Sequence, residues 1–259
     1  MAEFETVRRG TAVRTAEIDA GLRAHMNKVY GLMSIAMVVT GAVAWVFGTD
    51  ANAYVDAVRA GVQPQTGLIP VAMVEAIYFS PLRWVIMFAP LIMVFTMGAM
   101  VNRLSEQALQ LFFYGFAAVM GLSISWIFAV FTGFSIAQTF FITAIAFAGL
   151  SLWGYTTKKD ISGWGSFLIM GVIGLIVAAI VNIFLQSPAL MFAISALGVL
   201  IFAGLTAYDT QRIKNEYLEM SSMGGEAYLG KAAIMGATSL YINFINLFMF
   251  LLQFFGERE

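Results

Sequence analysis

Cysteine is absent, histidine occurs once, and charged residues make up only 11% of the 259-residue chain. Without cysteine there is no disulfide, no thiolate metal site and no cysteine nucleophile. The one histidine, His25, stands outside every long apolar stretch, so neither a zinc-protease pair nor a serine–histidine dyad can be built on it. Lys and Arg number 14 against 15 Asp and Glu, with no basic cluster, which excludes the many phosphate contacts that nucleic-acid binding requires. No glycine-rich phosphate loop with a lysine is present, which argues against ATP-driven pumping. An intramembrane aspartyl protease needs two opposed aspartates sharing a proton, and only Asp209 is available inside an apolar stretch. We expect a non-enzyme without a cofactor.

The shortage of charge also excludes a soluble globular fold, for which about 25% is usual. Hydrophobic side chains make up 60% of the chain and mean hydropathy is +0.84. The solvent of most of this chain is therefore lipid. Strand periodicity is missing too: Phe140 to Phe147 does not alternate, which rejects a transmembrane barrel.

Charge-free intervals of about 20 residues, the length that crosses a bilayer, locate the helices. Val29 to Thr49 and Trp84 to Asn102 each hold one. Gln107 to Thr157 holds two, turned at Thr132-Gly133-Phe134-Ser135. Ile161 to Tyr208 holds two more, broken at Gln186-Ser187-Pro188, where proline suits the first turn of the next helix. Ala232 to Gly256 holds the last. The reading is an all-α integral membrane protein with seven spans, at about 28–49, 84–102, 108–131, 136–156, 165–186, 189–209 and 234–255.

Residues 1–27 read as a flexible cytosolic arm of mixed charge, too polar for a cleavable signal, ahead of a membrane domain over 28–256. Asp50 to Arg83, with Pro64, Gly67, Pro70 and Pro81, reads as the longest surface loop, with Tyr54 to Ala60 a short helix inside it. Basic residues set the orientation. With the N-terminus in the cytosol, only Arg59, Arg83 and Arg258 fall outside, whereas all other Lys and Arg fall inside. The C-terminus is then extracytosolic.

Polar side chains within the spans need a reason, because lipid-buried polar groups are unfavourable. Asp209 is placed at the cytosolic end of span six with Arg212 one turn later. Two readings fit: an interfacial ion pair at i,i+3, or a functional acid. An acid at a helix C-terminus opposes the macrodipole, which favours function. Ser239, Asn243 and Asn246 share one face of span seven. Counted from a helix start near Ile234, Asn243 comes close to mid-membrane, about 14 Å in. Interhelical hydrogen bonding, at about 0.6 kcal/mol per contact, and a water-filled path both remain open for that stripe and for Asn182 in span five. The many span glycines, Gly115, Gly121, Gly165, Gly174 and Gly198 among them, point to close helix packing.

The strings Phe202-Ala203-Gly204-Leu205-Thr206-Ala207-Tyr208-Asp209-Thr210-Gln211-Arg212-Ile213-Lys214 and Ser239-Leu240-Tyr241-Ile242-Asn243-Phe244-Ile245-Asn246-Leu247-Phe248 resemble the transmembrane Bax-inhibitor-motif family. Gly154-Tyr155-Thr156-Thr157-Lys158-Lys159-Asp160 and Val181-Asn182-Ile183-Phe184-Leu185 resemble its bacterial branch, and the likeness extends from about residue 24 to nearly the end. The resemblance implies seven helices with the C-terminal one at the bundle centre, wrapped by the other six. It also implies a pH-sensitive calcium leak, in which aspartates late in span six and in span seven bridge as latch and pH sensor beside a basic residue. Carried over, the first aspartate is Asp209, the second position holds Asn243 instead, and the basic partner falls on Arg103.

An Asp–Asn pair has no shared proton, so a weaker or differently gated pH response is expected than in two-aspartate members. Asn243 can still donate an amide hydrogen bond to Asp209. Asp209 with carbonyls, Asn243 and water would make a weak transit contact for calcium, too sparse for a tight metal site. The competing expectation is a non-conducting interaction protein, because a bacterial relative modulates a membrane-anchored quality-control protease. A bacterial plasma membrane is the expected location.

Overall fold

The computed structural model describes residues 2–223 and 226–258. Its helices are α1 (Ala2–Arg59), the short α2 (Val71–Val74), α3 (Leu82–Met100), α4 (Glu106–Ile124), α5 (Gly133–Thr156), α6 (Trp164–Leu185), α7 (Pro188–Ser222) and α8 (Glu226–Phe255). A π turn, Glu75–Phe79, follows α2, and a 3-10 turn, Ser125–Ala129, follows α4. Among the described residues, 7 helices are long and apolar enough to cross a membrane, and the only β pairing is an isolated bridge between Phe131 and Arg258. The all-helical, seven-span architecture is thus as expected.

The turns are built by the residues that marked them. The hydroxyl of Thr132 accepts from the Ser135 amide at 3.2 Å and starts α5. Gln186 takes a left-handed backbone, φ 48°, that ends α6, and Ser187 caps α7 by accepting from the Leu190 amide at 3.3 Å, with Pro188 in the first turn. Asn182 belongs to this corner: its side-chain oxygen accepts from the Ser187 amide at 3.0 Å.

Four boundaries differ from the sequence reading. The first helix does not begin at residue 28, and its candidate span starts at Ile18. Leu22, His25, Met26 and Val29 recur on one face at helical spacing and are buried, with the His25 ring 5.0 Å from Tyr217 of α7. The segment Tyr54 to Ala60 is mostly the end of α1, because Asp50 does not break the helix. Its carboxylate instead accepts the amides of Gly67, Leu68 and Ile69 at 2.7–2.8 Å, which folds the following loop back onto α1. Lastly, α7 runs on past Asp209 to Ser222, with Ile213 and Tyr217 buried, and the α8 span begins at Tyr228 rather than residue 234. Charge stopped the sequence reading at these points, whereas amphipathic packing carries the helices beyond the hydrocarbon layer.

The most enclosed span is α8: 67% of an 18-residue apolar stretch of it is buried, against 11% of the corresponding stretches of α3 and α6. It packs on α1, α4, α5 and α7, while α3 packs chiefly on α4 and α6 on α7. Tyr241 of α8 is fully buried edge-on to Phe113 and Phe116 of α4, its hydroxyl 2.6 Å from that of Thr40 in α1. Aromatic edge contacts of this kind add about 0.5–1.5 kcal/mol each beyond area burial.

Candidate functional site

The site lies where the middle of α7 crosses α8. At this level α7 presents two faces. On one, Gly154 of α5 lets the backbones meet: a Cβ there would stand 2.3 Å from the Ala207 carbonyl oxygen. Along the same side Gln211 accepts from the Ile161 amide at 2.9 Å and donates to the Lys159 carbonyl at 2.8 Å, while Lys214 donates to the Tyr155 carbonyl at 2.8 Å. The Gly154–Asp160 string and the Ala207–Lys214 string are therefore two halves of one interface. Asp160, in the turn between α5 and α6, is held below the usual carboxylate range by the Ser162 hydroxyl first and the Ser162 amide second.

The other face carries Asp209, which is 7% exposed. Asn243 Nδ2 donates to Asp209 Oδ2 at 2.7 Å, and Arg212 Nη2 lies 2.9 Å from Asp209 Oδ1. The same Arg212 nitrogen donates to Ser239 Oγ at 3.1 Å. Each carboxylate oxygen thus has a partner, and the cluster ties α7 to α8 through two residues from each helix. Because α7 continues well beyond Asp209, the helix-terminus argument for its function does not hold. The i,i+3 contact with Arg212 is present and is charge-assisted.

Sequence-derived positions divide cleanly. Asp209, Asn243, Arg212 and Ser239 come together. Arg103 does not: it is exposed in the turn after α3, and among the described residues the cation paired with Asp209 is Arg212. The reason is local, since Arg212 sits one turn along the same helix and needs no tertiary movement to reach the carboxylate. Asn246 donates to the Ile242 carbonyl of its own helix at 2.8 Å. Asn182 serves the α6–α7 corner. Close packing explains Gly121, Gly165 and Gly198, but a Cβ at Gly115 or Gly174 would meet nothing within 4 Å.

A hydroxyl chain escaped the sequence reading. Tyr30 of α1 lies 2.6 Å from Ser151 of α5, which lies 2.9 Å from Thr210 of α7. Isolated hydroxyls in apolar spans were the available signal, since such groups find partners across helices. Among the described residues no group of three or more His, Cys, Asp or Glu could hold a metal ion.

Comparison with known proteins covers nearly the whole chain. The family described as "Inhibitor of apoptosis-promoting Bax1" matches residues 22–259. A protein of Caulobacter vibrioides is 49% identical over 242 residues, covering 93% of this chain and 92% of its own. The inner membrane protein YbhL of Escherichia coli strain K12 is 39% identical over 241 residues, covering 93% of this chain and 94% of its own. A Rickettsia prowazekii protein is 39% identical over 256 residues, covering 96% of each chain.

Proposed function

The chain belongs to the Bax inhibitor family, and on that premise we propose that it is a passive, pH-sensitive cation leak, with calcium as the permeant ion, closed by the latch centred on Asp209. The observation that supports this reading is the buried Asp209 carboxylate held between Arg212 on its own helix and Asn243 on the next.

In the closed form the carboxylate is ionised, with both oxygens accepting. Protonation removes the charge that attracts Arg212 and converts one acceptor into a donor, so the tie between α7 and α8 weakens. Arg212 is half-exposed and is free to swing away. A carboxylate oxygen, the Asn243 amide oxygen, backbone carbonyls and water then offer a hard cation weak, exchangeable ligands, which suits transit better than retention. With asparagine at position 243 the path carries one fixed negative charge fewer, and gating rests on a single carboxylate without a shared proton. Arg212 takes the basic role assigned by resemblance to Arg103.

The proposed setting is a bacterial inner membrane, from the description of the Escherichia coli relative, with the N-terminus cytosolic from the bias in Lys and Arg. The test is calcium uptake by dye-loaded proteoliposomes containing wild type, Asp209→Ala and Asn243→Asp, on both sides of neutral pH. Uptake above empty liposomes that changes with Asp209 supports the reading. Wild-type uptake no greater than that of empty liposomes, at every pH, overturns it.

A further inference from the structure

A groove separates α1 from α5. The two helices meet through the Tyr30–Ser151 hydroxyl pair but are not packed along their length, and the space between them, about 1160 Å³, is floored by Phe244 and Phe248 of α8. On α1 its lining runs from Arg23 to Trp45, about 33 Å along the helix, close to the roughly 30 Å of a bilayer's hydrocarbon core. The two ends differ. At one stand Arg23 and Asn27, exposed, with the Tyr30, Ser151 and Tyr155 hydroxyls just inside. Beyond them the walls are apolar apart from Ser34 and Thr40, through Met37 and Phe140 to Trp45.

We propose that this groove seats a phospholipid from the leaflet at the Arg23 end, its phosphate on Arg23 and Asn27 and its acyl chains between α1 and α5. Two observations select that occupant. Arg23 has no ion-pair or hydrogen-bond partner among the described residues, and a guanidinium at the edge of an apolar slot fits a phosphodiester. Polarity falls along the groove in the order that a phospholipid presents, from charge through hydroxyls to hydrocarbon.

Seated there, the tails lie against Phe244 and Phe248, on the same helix as Asn243. The groove requires no ion conduction, so it stands or falls separately from the leak.

The experiment is photolabelling in proteoliposomes with phosphatidylglycerol carrying a diazirine in one acyl chain, with labelled peptides identified by mass spectrometry. Label should concentrate on Phe140, Phe244 and Phe248. It should fall several-fold in Gly41→Phe and Ala148→Phe, which fill the groove; a Cβ at Gly41 meets nothing within 4 Å, so the added ring has room. Ile145→Phe, on the exposed outer side of α5, should leave the label unchanged and controls for folding. Arg23→Ala should weaken labelling, and full retention would overturn the headgroup assignment. Label at Phe244 and Phe248 no stronger than at Ile145, or groove residues cross-linking to another polypeptide instead of lipid, would overturn the proposal.

Discussion

Asn243 of α8 donates its amide to Asp209 of α7 across 2.7 Å, and the other carboxylate oxygen is taken by Arg212 at 2.9 Å. A buried acid is therefore satisfied by one cation from its own helix and one neutral donor from the next. Under the proposed leak, stability and gating are joined at this point: whatever loosens the carboxylate also loosens the contact between the two helices.

Asn243→Asp places two carboxylates within hydrogen-bond distance of each other, where both cannot stay ionised without repulsion. The variant's flux–pH profile in proteoliposomes should be displaced from that of wild type and steeper. Superimposable profiles would show that position 243 does not tune the response.

Arg212→Gln leaves Asp209 buried without its cation. Unfolding in detergent should show a loss of about 1–3 kcal/mol, the range for stranding a buried polar group, and leak should rise at alkaline pH. An unchanged melting temperature and flux would mean that the ion pair neither stabilises nor closes the protein.

Gly154→Ala and Gly115→Ala make a matched pair. The first drives a Cβ to 2.3 Å from the Ala207 carbonyl and should destabilise the α5–α7 contact by about 1–3 kcal/mol. The second meets nothing within 4 Å and should be neutral or stabilising by up to about 1 kcal/mol, through helix propensity alone. Equal melting temperatures for the two would contradict the packing described.

Asp50→Ala removes the acceptor for the Gly67, Leu68 and Ile69 amides. Hydrogen exchange at those amides should accelerate, with a local loss of about 1–3 kcal/mol, while exchange within α8 stays slow. Unchanged protection at residues 67–69 would show that the loop is held by other contacts.

Hydropathy alone determined the helical class and the number of spans, because lipid forces every backbone amide into a hydrogen bond within its own segment, and a helix needs about 20 apolar residues to cross. Thr132, Ser187 and Pro188 marked their turns for an equally local reason, since a cap is written within four residues. The i,i+3 relation of Asp209 and Arg212, and the common face of Ser239 and Asn243, were also legible, being properties of one helix.

What crosses between helices was not. That Asp209 meets Asn243 was expected only through the family resemblance, and that contact, the reach of Arg212 to Ser239 and the distance of Arg103 all depend on the rotation and height at which α7 packs on α8, which no spacing within either string encodes. The far ends of α1 and α7 were missed for a related reason. Outside the lipid the signal is no longer absence of charge but burial of Leu22, Met26, Ile213 and Tyr217 against neighbours, and those neighbours exist only once the bundle has formed.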